Sequence, residues 1–335
     1  MLRAMMAFRT CFLLPLLLLS GCSNVGYYAQ AVRGQMSLMW KRQPIEEVLQ
    51  DKSIDSDLRA QLAQVLEIRD FASSELGLPD NGSYRSYADV GRPYVVWNVF
   101  ATPEFSVDPQ TWCFIVVGCV SYRGYFREDR AEQFAADLEE DGKDVYVAGV
   151  TAYSTLGKFS DPVISSMMRW DDVQLVGVLF HELAHQVLYV KGDTGFNEAF
   201  ATAVEEFGVL RWLESRGQVD DIAAYRKSRQ LRQDLMSLVA DARVELDDLY
   251  ARDLDDKTMR RQKEIRLHSL GEDAAELLQR NGRDGTKWIN GELNNAKLVS
   301  MTLYEGRLPE FRALLDQCEQ RIECFYDESR ALAGR

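Results

Sequence analysis

Apolar residues recur mostly at threes and fours between Pro44 and Leu76 (Val48, Leu58, Leu62, Val65, Leu66, Phe71), a period that predicts helix. The turn cluster Leu78-Pro79-Asp80-Asn81-Gly82 closes it. The pattern then changes. Residues 84–126 are rich in β-formers, as in Tyr94–Phe100 and Cys113–Val117, with Gly118 and Gly124 as punctuation. Asp129–Glu140 reads as a helix and Asp144–Tyr153 as a strand. Next comes an apolar helix from about Asp172 to Tyr189, N-capped by Asp171 or Asp172. Gly192 and Gly195 mark a turn, and a second helix runs from about Asn197 to Arg216, stopped by Gly217. Residues 219–280 are helical and heavily charged, with one stripe of Leu231, Leu235, Leu238, Ala242 and Leu249. Asp255-Asp256-Lys257-Thr258 breaks that stretch into a helical hairpin. Two final helices cover roughly 292–305 and 309–332. This order predicts an α+β fold, mostly helical, with a small mixed sheet whose edge strand precedes the helix at 172–189.

The first residues read as an address. Arg3 and Arg9 precede the apolar run Phe12–Leu19, which is too short to span a bilayer. Leu19-Ser20-Gly21-Cys22 then looks like a bacterial lipobox, implying cleavage before Cys22 and a lipid on that residue. An ordinary cleaved signal peptide is the plainer alternative. The expected organisation is a leader at 1–21, a tether at 22–42 and one domain at 43–335 that includes the hairpin at 219–280. Ser23, rather than Asp, implies the outer membrane by resemblance to lipoprotein sorting signals, so the expected location is the periplasmic face of the envelope. The chain carries a net charge of −13, with 46% apolar and 27% charged residues. That balance excludes disorder, and it supplies no basic footprint for nucleic acid. Losing the leader removes two arginines and no acid, so electrostatic adhesion to anionic lipid is not expected and the acyl chains must anchor. Of six cysteines, Cys11 leaves with the leader and Cys22 takes the lipid. The remaining four form two close pairs, Cys113 with Cys119 and Cys318 with Cys324, which read as local disulfides in an oxidising compartment. Cross-pairing stays open on spacing alone.

The chemistry is concentrated in His181-Glu182-Leu183-Ala184-His185, inside the apolar helix. Residues four apart share a helical face, so both imidazoles can address one zinc ion. Glu182 lies about 100° round the helix, where it would activate a zinc-bound water. Only three histidines occur in the chain and two are here, in a setting where buried polar groups are costly. His268 reads as a surface residue. The turn at 191–196 lets the second helix run back beside the first, placing Glu198 to face His185 as third ligand. Glu205 is a rival two turns deeper, and Glu198 could also be a plain helix-start acid. Tyr153 and Tyr304 are candidate donors to a tetrahedral intermediate. Glu205 or Glu206 could bind a free α-amine. An extended peptide could add to the edge of strand 145–153.

His-Glu-x-x-His followed by Asn197-Glu198-Ala199-Phe200-Ala201 resembles the gluzincin metallopeptidases. That resemblance implies a zincin-like fold and makes Glu198 the third ligand, although only 12 residues separate it from His185 here. The wider chain is similar to the bacterial predicted aminopeptidases, often lipoproteins. The matching segments are Tyr94–Val99, Trp112–Cys119 with Tyr122–Phe126, Ala152–Gly157 with Asp161-Pro162, the metal motif, and Asn294–Tyr304. The expected function is zinc-dependent hydrolysis of peptides, as an aminopeptidase, with one zinc per chain. A periplasmic zinc endopeptidase is the alternative within that class. A non-catalytic, metal-stabilised envelope scaffold is the alternative outside it.

Overall fold

The structure is a computed structural model and describes residues 26–114, 118–152, 154–289, 293–302 and 306–334. Cys22, Tyr153 and Tyr304 lie outside the described residues. In chain order the elements begin with helix α1 (26–41), strand β1 (Gln43–Pro44) and helices α2 (Ile45–Gln50) and α3 (Ser56–Leu76). Strands β2 (Ser86–Ala88), β3 (Val96–Pro103), β4 (Trp112–Phe114), β5 (Gly118–Val120) and β6 (Arg123–Tyr125) follow, then α4 (Glu128–Glu140), β7 (Lys143–Val150) and β8 (Val163–Ile164). The rest is helical: α5 (Asp172–Val187), α6 (Thr194–Ser215), α7 (Val219–Tyr250), α8 (Asp256–Arg280), α9 (Thr286–Ile289), α10 (Asn295–Thr302), α11 (Leu308–Gln317) and α12 (Ile322–Ala333).

The fold is α+β and mostly helical, but the sheet is divided. β6-β3-β7 is antiparallel throughout, whereas the mixed sheet is the small β1-β2-β8. β7 is an edge strand in the first and β8, just before α5, is an edge strand in the second. Trp97, Val99 and Ala101 alternate along β3 and bury one sheet face against Ala131, Ala135 and Leu138 of α4. The outer edge of β7 is partly taken, since Asn294 donates through Nδ2 to the Val145 carbonyl at 2.8 Å.

Several boundaries follow side-chain chemistry that periodicity does not show. The segment predicted as one helix from Pro44 to Leu76 is broken at 51–55. There Asp51 accepts from the Ser53 amide and hydroxyl, and Asp55 caps α3 by accepting from the Asp57 and Leu58 amides. The predicted last helix divides into α11 and α12 at Glu319 and Gln320, whose φ values of 53° and 59° leave the helical region. The predicted tether is helical over 26–41, and Leu38 is buried in the main core. Apolar contact, not linker composition, decides that segment.

α6 runs through the main core, against α5, α3, α7 and α11. Its small residues Ala199, Ala203 and Gly208 admit close neighbours, and Phe200 stacks on Phe325 with centroids 5.6 Å apart. The hairpin of α7 and α8 has its own apolar cluster, with Met236, Val239, Ala242 and Leu246 meeting Leu267, Leu270 and Leu298. Ile222 and Tyr225, near the start of α7, join the main core instead. Lys263 of α8 ties the hairpin to the sheet through Asp144 at 2.7 Å. Two disulfides, Cys113–Cys119 and Cys318–Cys324, close the β4–β5 hairpin and the α11–α12 corner.

Candidate metal centre

α5 starts with a capping box between Asp171 and Gln174, and its buried side packs Leu175, Leu179, Phe180 and Leu183 into the core. That burial aims His181 and His185 at α6. The chain reverses at 188–193, and Asn197 pins the turn twice: it accepts from the Val190 amide at 2.7 Å and donates to the Val190 carbonyl at 2.8 Å. Asp193 caps α6 by accepting from the Phe196 amide, so the helix starts at Thr194, three residues before the position predicted. Glu198 is therefore held at the start of the second turn of α6, opposite both imidazoles.

His181, His185 and Glu198 each bring one ligand atom into a set lying within 4.8 Å of one another. His181 Nε2 is 3.2 Å and His185 Nε2 3.8 Å from Glu198 Oε2. The two imidazoles meet edge to face at 4.9 Å. Glu205 is placed elsewhere: its Oε2 accepts from His181 Nδ1 at 3.1 Å, behind the imidazole. Gly177 on α5 makes room for it, since a Cβ there would lie 3.2 Å from Glu205 Oε1. Glu206 faces the other way and pairs with Arg229 and, through both oxygens, with Arg312 at 2.7 and 2.8 Å. Neither acid is thus free to receive a substrate amine. His268 is exposed, beside Glu272.

Electrostatics follow from this arrangement. Burial pulls the His181 pKa down, but the hydrogen bonds to Glu198 and Glu205 outweigh it and hold the pKa well above the ordinary value. Burial would raise Glu198 and Glu205, yet His185 and His181 beside the first, and His181 with Arg229 beside the second, hold both below the usual range. Burial pushes the His185 imidazole down to about 4, so it is neutral, as a ligand must be. The same burial, with Glu198 and Asp161 nearby, pushes Glu182 up to about 7 against the pull of His181. Three carboxylates surround two imidazoles in a largely buried site. That excess of negative charge, with two imidazole nitrogens and one carboxylate oxygen converging, is the donor chemistry of a zinc site.

Sequence reasoning passes over the flank that carries Glu182's neighbours. Arg69, buried on α3, donates to the carbonyls of Ser83 at 2.8 Å and Pro79 at 3.0 Å and so shapes the loop before β2. Tyr84 at its end is fully buried beside Glu182, with φ of 60°, a left-handed conformation that a bulky residue rarely adopts. Its amide donates to the Asp161 carbonyl at 2.6 Å. The Asp161 carboxylate accepts from the Thr155 amide and hydroxyl at 2.7 and 2.9 Å. Opposite, Tyr122 lies near Glu198 and Glu182. Burial and those two charges push its phenol upward, so it keeps its proton. Tyr122, Thr155 and Asp161 fall in segments that carry the family resemblance, but nothing in those segments points to the metal motif, and the strained Tyr84 follows from backbone closure alone.

A family model described as "putative aminopeptidase" matches residues 26–335. The chain belongs to this family. The match takes in α5, α6 and the α7–α8 hairpin, and it begins with α1. No curated protein and no solved structure matches the chain.

Proposed function

We propose that the chain is a zinc-dependent aminopeptidase with a zincin-like core, lipid-anchored through Cys22 on the periplasmic side of the bacterial outer membrane. The observation that carries the chemistry is the convergence of His181, His185 and Glu198 within 4.8 Å, with Glu182 half-buried beside them. The two histidines and Glu198 would hold one zinc ion per chain, with Glu205 orienting His181 from behind. A bound zinc would lower the pKa of a water and polarise the scissile carbonyl.

The chain's own residues do the rest. Glu182 takes the proton of the attacking water and passes it to the leaving amine. Its setting, shared with Tyr84 and Asp161, favours a carboxyl that changes protonation near neutrality. Tyr122 is a protonated donor on the opposite flank and joins Tyr153 and Tyr304 as a candidate for the developing oxyanion. The family supports the substrate class, and the edge of β7 offers extended backbone for peptide addition.

Metal analysis of the purified protein, with hydrolysis of free and N-acetylated peptides, tests this reading. The expected result is about one zinc per chain and cleavage of free peptides only. Glu182→Gln should keep the metal and lose activity by about 10²- to 10⁴-fold. Tyr122→Phe in the same assay should lower turnover more than it raises KM. Absence of zinc after loading would sink the metal reading. Equal cleavage of acetylated peptides would make the protein an endopeptidase. Inertness of both wild type and Glu182→Gln would favour the scaffold.

A further inference from the structure

α1 is fixed to the body by one face. Tyr27 stacks on Phe114 with centroids 5.3 Å apart and lies under the Arg123 guanidinium at 4.3 Å. Gly34 sits so close to the Phe126 ring that a Cβ would come within 2.1 Å of it. Leu38 is buried in the main core. The opposite face is therefore held in a set direction, and it is apolar. Tyr28, Val32, Met36 and Trp40 recur every fourth residue and are 39, 62, 41 and 80% exposed. The other exposed large apolar residues among those described are scattered, on loops and on α7 and α8, and need no explanation. Four in line on one helix, ending in a nearly free tryptophan, do.

Beside this stripe is a groove of about 980 Å³ between α1 and α4. Arg33, Lys41, Arg92, Arg123, Arg127 and Arg130 line it, with Asp137 as its one acid. This is a basic surface on a chain whose net charge is −13. No helix among the described residues is long and apolar enough to cross a membrane. α1, with 16 residues, has the length and amphipathic pattern to lie along one.

We propose that α1 is a membrane-surface helix whose Tyr28–Val32–Met36–Trp40 face seats in the headgroup layer of an anionic bilayer, with the basic groove against the phosphates. The expected occupant follows from the chain's course. Cys22 precedes Tyr28 by six residues, which span at most about 20 Å when extended. The proposal rests to that extent on the lipid at Cys22. A single lipid-modified point leaves a domain free to tumble, and a second contact makes attachment stable and directional.

Spin labelling of the full chain, as bacteria process it, tests the seat. The four cysteines of the folded body are paired, so Val32→Cys adds a single thiol there; Val244→Cys on the distant hairpin is the control. The labelled proteins are mixed with vesicles of phosphatidylethanolamine and phosphatidylglycerol. The label at 32 should lose most of its collisions with a water-soluble nickel chelate and gain collisions with oxygen, while the label at 244 changes little. A label at 32 that stays open to nickel on vesicles overturns the proposal. So does shielding without vesicles that grows with protein concentration, which would seat a second copy on the stripe. The mass of the N-terminal peptide reports the lipid separately. Shielding without lipid would remove the anchor at Cys22 and leave the helix's role standing.

Discussion

Asp161 is the residue where burial and charge conflict most openly. It is almost fully enclosed, and burial pushes its pKa from an ordinary 3.8 up to about 6, against the hydrogen bonds from Thr155. The folded protein thus holds this proton more tightly than the unfolded chain. The stability it contributes is full below about 3.8 and is lost as pH rises through about 6. The loss amounts to about 3 kcal/mol. Asp161→Asn cannot titrate, so urea unfolding should show the variant gaining on wild type across that window. A constant difference from pH 4 to pH 7 would refute the assignment. Glu205 is the second case. Its hydrogen bond fixes the His181 tautomer, so Glu205→Gln should weaken zinc binding by about 10- to 100-fold, as read by competition with a chromophoric chelator. Unchanged affinity would mean that the carboxylate only fills space.

Among elements, the turn at 188–193 decides whether two helices make one site. Asn197 is buried and uses both ends of its amide on Val190. Asn197→Leu keeps the volume but leaves the Val190 amide without a partner, while the Val190 carbonyl keeps its bond from the Asp193 amide at 3.2 Å, at a cost of about 2 kcal/mol. The urea midpoint should fall and zinc affinity with it, because Glu198 is the next residue. A lowered midpoint with unchanged metal affinity would show that Glu198 is positioned by α6 alone. Gly208 of α6 looks unremarkable in sequence, yet a Cβ there would come within 2.6 Å of Phe180 on α5 and 2.8 Å of Leu76 on α3, so its missing side chain lets both helices close on α6.

For the whole molecule, Glu206 is the junction. One carboxylate binds Arg229 from α7 and Arg312 from α11, so the hairpin and the C-terminal helices are both moored to the helix that carries the site. Glu206→Ala leaves two guanidinium groups without the anion they share, a loss of about 3 kcal/mol for a largely buried pair. Global unfolding should shift while zinc content stays at its wild-type level. Loss of zinc together with stability would instead make the hairpin a support of the metal site. The contrast with Glu205 is direct, since adjacent residues on a helix point about 100° apart and so serve different neighbours.

The local sequence by itself determined what local physics governs. Residues four apart on an apolar helix must share a face, so His181 and His185 were legible as a pair, with Glu182 beside them. Caps and turns at Asp171, Gly192 and Gly217 follow from backbone needs that residue type announces. Periodicity alone had no view of contacts between distant segments. It could not tell that 26–41 packs as a helix through Gly34 and Leu38, because linker-like composition and a helix held by tertiary contact look alike. Nor could it separate Glu198, Glu205 and Glu206, since three acids on one helix differ only in what each face meets. Tyr84, Tyr122 and Asp161 come to Glu182 from distant loops, and only the closed chain brings them there.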